Sequence, residues 1–170
     1  VAAAMALLQR LGPARGYFPE PAKSIVVCQE AQTDQARRTL ERFDFQYSDG
    51  HRYVGGFIGS DTARTKWLAP KIQEWVFGVN QLAKVACRYP QTAYHGMVKS
   101  LQSEWQYLQR VLPDSGDAFA PVEEALAKAF LPALLQEQNE LSENFRSQLA
   151  LPVRQAGIGI PSPCNTARGH

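Results

Sequence analysis

The sequence has little excess charge, few cysteines and no long apolar run, and each shortage closes off a class of function. Lys and Arg number 18 against 16 Asp and Glu, a formal net charge of +2. No overall field therefore draws the chain onto nucleic acid, and any such contact has to come from a local basic face. The three cysteines, Cys28, Cys87 and Cys164, are an odd, widely spaced set. That is not a disulfide framework, and they read as reduced, partly buried thiols. His51, His95 and His170 come with no Cys-x-x-Cys or His-x-x-x-His pair, so nothing anchors a zinc site. No Asn-x-Ser/Thr acceptor occurs, and these features together lean toward an intracellular setting. No apolar run reaches the ~20 residues of a membrane span, so no membrane partner is expected. Val1–Leu8 lacks the basic leader of a signal peptide. A start at Val1 and a tail from Pro161 without structural closure read as those of a processed or truncated chain. Catalytic constellations are scarce too. Asp44, Asp49 and Asp61 sit near turns and Asp114 and Asp117 near a break, with no spaced carboxylate pair among them, and neither His51 nor His95 has a Ser, Cys or Asp partner.

What is present is a globular composition. Hydrophobic residues make up 45% of the 170-residue chain, enough for a core of its own. Ala2–Leu11 is rich in Ala and Leu and predicts a helix, with Gly12 as its cap and Pro13 blocking continuation. Gly12–Ala22 reads as a loop pinned to the body by Tyr17 and Phe18. Ser24–Cys28 is a β-branched run, read as a buried strand. Thr33–Phe43 follows as a polar helix with a narrow apolar face of Ala36, Leu40 and Phe43. Phe43–Tyr47 alternates like a strand, Ser48-Asp49-Gly50 carries the strongest turn signal, and His51–Ile58 returns. A hairpin over Phe45–Ile58 is therefore predicted.

Beyond Gly59 the pattern becomes helical. Leu68, Ile72, Trp75, Val76, Val79, Leu82, Ala83 and Ala86 recur at spacings of three and four, one helical stripe reaching about Tyr89. A second helix starts at Pro90 and carries Val98, Leu101, Trp105, Leu108 and Leu112, ending at Pro113–Gly116. A third runs from about Asp117 to Leu131, with Phe119, Val122, Leu126, Ala129 and Phe130 inward, Pro121 in its first turn and Pro132 kinking or ending it. Gln136–Gln148 is polar and reads as a loose helix or linker. Gly157–Ile160 reads as a short extended segment that packs on something. The fold class is α+β: a small antiparallel sheet or hairpin layer, then a mostly helical bundle. Residues 1–59 form the α+β segment, 60–135 the helical region, and 136–170 a linker and extended tail.

Three features carry possible chemistry. Gly55-Gly56-Phe57-Ile58-Gly59, between strand and helix, has the position of a phosphate loop. Its spacing fits neither Gly-x-Gly-x-x-Gly nor the Walker pattern, and backbone geometry alone accounts for such glycines. Lys23, behind Pro19-Glu20-Pro21-Ala22, is placed either as a general acid or phosphate contact or as a solvated strand-end lysine. Trp67, Trp75 and Trp105, with Tyr89, Tyr94 and Tyr107, interleave with Lys66, Lys71, Lys84, Arg88, Lys99 and Arg110. That mixture suits either nucleic acid or a core beside a solvated face, and Trp75 and Trp105 lie on the apolar stripes.

The run Gly12-Pro13-Ala14-Arg15-Gly16-Tyr17-Phe18-Pro19-Glu20-Pro21-Ala22-Lys23-Ser24-Ile25 resembles the fourth polymerase motif of retroelement reverse transcriptases, in which a Pro-x-Lys-Ser or Pro-x-Lys-Thr strand follows a helix and a glycine. Tyr53-Val54-Gly55-Gly56-Phe57-Ile58-Gly59 is similar to the fifth motif, usually Tyr-Leu-Gly, with Val54 in place of Leu. Pro90–Tyr94 with Lys99–Trp105, then Phe130–Leu134, then Leu151–Gly157 resemble the region after the palm. The resemblance implies the end of an RNA-directed DNA polymerase palm followed by a thumb-like helical region. It implies Lys23 near the leaving pyrophosphate, and Tyr53, Val54, Gly55 and Gly56 at the primer end. Lys66, Lys71, Lys84, Arg88 and Lys99 become the candidates for the template–primer backbone. The parent would use Mg2+ and complete its palm with preceding residues. The metal-binding aspartates are not in this sequence, so this chain alone is expected to hold no metal and to be inactive. The alternative is a non-catalytic helical protein-interaction module derived from a retroelement.

Overall fold

A computed structural model describes residues 1–112, 115–137 and 141–168. The chain divides into two compact units, Val1–Arg64 and Thr65–His170. The first is α+β and the second helical, as the change of pattern beyond Gly59 predicts.

In the first unit, helix α1 (Ala2–Leu11) forms as expected. Gly12 caps it with right-handed φ −60° and ψ −51°, so glycine is not there for a left-handed turn. A Cβ at Gly12 would lie 2.5 Å from both the Leu8 and the Tyr17 carbonyl oxygens, and close backbone approach is the reason for the residue. The loop that follows is not pinned by its aromatic pair: Tyr17 and Phe18 are both exposed. Strand β1 (Ile25–Val27) is half-buried, not fully buried as predicted. Helix α2 (Thr33–Thr39) stops short of Phe43, because Leu40 leaves helical geometry. Leu40, Phe43 and Phe45 form the core of this unit, with Met5, Ala6, Val26 and Tyr47 packed on it. The Phe43 and Phe45 rings stack at 5.1 Å.

The strand pairing departs from the sequence reading. Strand β2 (Gln46–Ser48) pairs parallel to β1 across α2, with Ile25 opposite Gln46. It is not the first arm of a hairpin. The hairpin lies further on, with β3 (Gly50–Tyr53) antiparallel to β4 (Gly56–Gly59) and Tyr53 opposite Gly56. Its turn is Val54-Gly55, not Asp49-Gly50. Gly50 serves another purpose: a Cβ there would meet the Phe57 ring at 2.5 Å and the Ala63 methyl at 2.9 Å. Gly59 is likewise constrained, by Gly50 and the Asp49 carbonyl. Ser60 N–H and its hydroxyl donate to the Asp49 carbonyl and carboxylate at 2.8 and 3.2 Å, and the hydroxyl accepts from Ala63 N–H. These bonds start the next helix.

Helix α3 (Asp61–Ala86) runs through Pro70 and buries Leu68, Ile72, Trp75, Val79, Ala83 and Ala86, the predicted stripe. Helices α4 (Pro90–Gly96) and α5 (Gln102–Val111) are joined by a π turn, Met97–Leu101. The wider turn rotates the inward face, so Ala93, Met97, Gln102, Trp105, Leu108 and Gln109 are buried while Val98 and Leu101 are half-buried. Pro113 and Asp114, to which the sequence assigns the break, lie outside the described residues. Phe119, Val122, Leu126 and Phe130 face inward, as predicted, and Ala129 is half-buried. Pro132 does not end the third helical stretch. Helix α6 (Ala120–Ala125) passes through a π turn, Leu126–Phe130, into α7 (Leu131–Leu135). A π turn uses carbonyls five residues back, so the missing N–H and the ring of Pro132 are tolerated. The tryptophans sit centrally: Trp75 is edge-on to Trp105 at 6.2 Å and stacks on Phe119 at 5.9 Å.

The stretch 136–170 is not a linker and extended tail where it is described. Helix α8 (Glu143–Ala150), capped by the Ser142 hydroxyl, and α9 (Pro163–Arg168) belong to the second unit. Arg146, Leu149, Ile160, Pro163 and Ala167 are buried. Gly157–Ile160 packs as predicted, its N–H groups donating to the Leu149, Leu151 and Pro152 carbonyls and its own carbonyls accepting from side chains of distant residues.

Candidate nucleic-acid interface

The stretch Tyr53–Gly56 is set by the hairpin. Val54 has φ +45° and Gly55 φ +81°, the sign pattern of a two-residue type I′ turn, whose twist matches the flanking strands. Tyr53 and Val54 are exposed at 65% and 74%, whereas Gly56 is buried. Strand alternation puts Tyr53 on one face with His51 and Ile58, all exposed, and Phe57 on the opposite face over Gly50. The glycines are therefore turn and packing residues, and no phosphate loop forms. Val54 is strained here, because a β-branched residue in the left-handed region brings its side chain against the backbone. Val54→Asn is expected to stabilise the first unit by about 1 kcal/mol in urea unfolding.

Lys23 ends a short 3-10 turn, Pro21–Lys23, ahead of β1. Its ammonium pairs with the Glu20 carboxylate at 2.6 Å, both side chains well exposed. The arrangement is that of a solvated ion pair, worth less than about 1 kcal/mol.

The five cations of the helical region do not converge. At about 100° per residue, Lys66 and Lys84 fall on one line of α3, separated by about 27 Å. Gln73 and Phe77 lie between them within about 40° of that line. All four are exposed, Phe77 at 65%. Arg88 follows just past the helix, its guanidinium 5.4 Å from the centre of the Tyr89 ring. Lys71 is turned about 140° away from Lys66 and lies 5.4 Å over the Trp67 ring. Lys99 is exposed on the π turn Met97–Leu101, a separate element. The result is a narrow stripe on α3 in which an aromatic ring stands between cations, with Glu74 about 80° to one side. Phe77 and Gln73 are the members that sequence reading passes over. The available signal was Phe77 falling two residues from Trp75, off the apolar stripe.

Beside this stripe an open groove of ≈640 Å³ runs along α3, lined by Leu68, Ile72, Val76, Phe77, Ala118 and Pro121. Among the described residues no group of three His, Cys, Asp or Glu side chains could hold a metal ion. Cys28 and Cys164 are half-buried, as expected, whereas Cys87 is exposed rather than partly buried. Among the described residues no helix is long and apolar enough to cross a membrane. Comparison with protein-family models, with curated proteins and with solved structures found no match.

Proposed function

We propose that the chain is the palm–thumb junction of a retroelement reverse transcriptase and that it contacts template–primer nucleic acid. The observation that carries this reading is the stripe on α3. Lys66 and Lys84 bracket an exposed Phe77, which gives phosphate neutralisation and a stacking surface on one helix face. The exposed Tyr53 at the hairpin tip supports it, since a base or sugar could pack on that ring. The residues bind and position; no chemical step is assigned to them, because the metal-holding carboxylates are not among them. A second reading, a helical protein-interaction module, is favoured by the apolar groove beside Phe77.

The two readings separate in one experiment. Binding of a labelled primer–template is followed by fluorescence anisotropy across a salt series. Wild-type protein is expected to bind with an affinity that falls steeply as salt rises. A Lys66→Gln/Lys84→Gln/Arg88→Gln triple variant is expected to lower the log–log slope by about 0.7–0.9 per lost phosphate contact. Absence of binding at low salt would leave the protein-interaction reading in its place.

A further inference from the structure

We propose that the groove along α3 takes an unpaired base of a single strand, so that of a template–primer it is the single-stranded part, not the duplex, that this helix holds. This rests on the nucleic-acid reading above and names its substrate class. The groove separates charge from apolar surface in the way a nucleotide does. Among the described residues that line it none is charged, and its polar side chains are those of Thr65, Gln73 and Asn80. The cations stand outside it, with Lys66 and Lys84 exposed on the same helix. A flat, neutral base suits the uncharged interior, and the phosphates on either side of it suit the lysines. Glu74 lies about 80° from the lysine line on the side away from the groove, where its carboxylate keeps phosphates off that flank.

Phe77 supplies the stacking face. Its ring is mostly exposed and also lines the groove, so a base laid on it is sheltered on its other side by the groove. Gln73 and Asn80 stand four residues before and three after Phe77, the positions that neighbour it on a helix face. Each amide offers both donors and an acceptor, which suits the edge of a base stacked on the ring. In a duplex the Watson–Crick edges are taken by the complementary strand and the base faces by neighbouring pairs. A duplex therefore reaches the lysines alone. Lys66 and Lys84 are about 27 Å apart, roughly eight nucleotides at the 3.4 Å spacing of a stacked strand. Over that length one ring holds one base, and the lysines hold the strand by its phosphates.

The test is fluorescence anisotropy on the full chain at low salt. The probes are a labelled single strand of about ten nucleotides of mixed sequence and the duplex of the same sequence. Wild-type protein is expected to bind the single strand more tightly than the duplex. Phe77→Ala is expected to weaken single-strand binding about five- to hundredfold and to change duplex binding by less than about twofold. Phe77→Trp is expected to keep the single-strand affinity. Phe77→Leu, which keeps an apolar side chain but no ring, is expected to lose it as Phe77→Ala does. Equal affinity for the two probes, equal losses on both in Phe77→Ala, or wild-type binding by Phe77→Leu overturns this proposal and leaves the nucleic-acid reading standing. Absence of binding to either probe overturns both.

Discussion

Arg146→Ala is expected to destabilise the helical unit by about 3 kcal/mol, read as a lower urea midpoint of tryptophan fluorescence. All three tryptophans lie in this unit, so the signal reports it directly. Arg146 holds Glu123 through two bonds, Nε to Oε1 at 2.7 Å and Nη2 to Oε2 at 2.9 Å, while Nη1 takes the Ile160 carbonyl. The side chains are only 10% and 22% exposed. Cutting off the guanidinium strands a half-buried carboxylate and a buried carbonyl together, and desolvation of the survivors sets the size of the loss. The pair itself contributes much less than its removal costs. Arg146→Met combined with Glu123→Leu is therefore expected to recover the part of the loss owed to the stranded carboxylate, while the Ile160 carbonyl stays without its donor. Lys128–Glu124 is the useful contrast. There the Lys128 hydrogen bond and charge hold the Glu124 carboxyl below the usual range. Such a carboxylate favours folding above its unfolded-state pKa, and the contribution is lost as pH falls through the lowered folded value. The pair is solvent-exposed on one helix face, so removing it is expected to leave the urea midpoint almost unmoved.

Trp105→Ala is expected to cost about 3–5 kcal/mol in the same measurement. The side chain is 1% exposed and stands edge-on to Trp75. Trp75 in turn donates its indole N–H to the Glu104 carboxylate at 3.0 Å. Removing the indole opens a large cavity against a ring held by its stack on Phe119 and by that hydrogen bond, so the walls have little freedom to collapse. Phe77→Ala provides the control within one unit. Its ring is mostly solvent-exposed, and a change within about 0.5 kcal/mol is expected, with any larger effect confined to nucleic-acid or groove binding.

The helices were legible because their causes are local. The three-and-four spacing of Leu68, Ile72, Trp75, Val79, Ala83 and Ala86 fixes which face of α3 turns inward, whatever covers it. Pro90 and Pro121 sit in first turns because a residue without an N–H costs nothing there. The hairpin before α3 was not legible: His51–Ile58 reads as a single strand returning on Phe43–Tyr47, and the structure splits it into two arms. Asp49-Gly50 carries the usual turn signal, yet Gly50 answers to the Phe57 ring packed against it, and the chain reverses at Val54-Gly55 despite the strain on a valine.

What only the tertiary structure decided follows from contacts across distance. The parallel pairing of Gln46–Ser48 with Ile25–Val27 depends on α2 crossing between them. The passage of the third helical stretch through Pro132 depends on a π turn that no propensity announces. The packing of Gly157–Ala167 depends on Tyr94, Gln102, Gln109 and Arg146 reaching its carbonyls from 14 to 64 residues away. The stripe of Lys66, Phe77 and Lys84 lies between the two cases. Helical period places the three on one line, but only the packed unit leaves that line facing water. The sequence by itself determined the apolar faces and the division into an α+β part and a helical part, because periodicity and turn chemistry act over a few residues. Partners for buried carbonyls, guanidinium groups and amides are chosen by the whole fold, because satisfying them is a condition on the assembled chain.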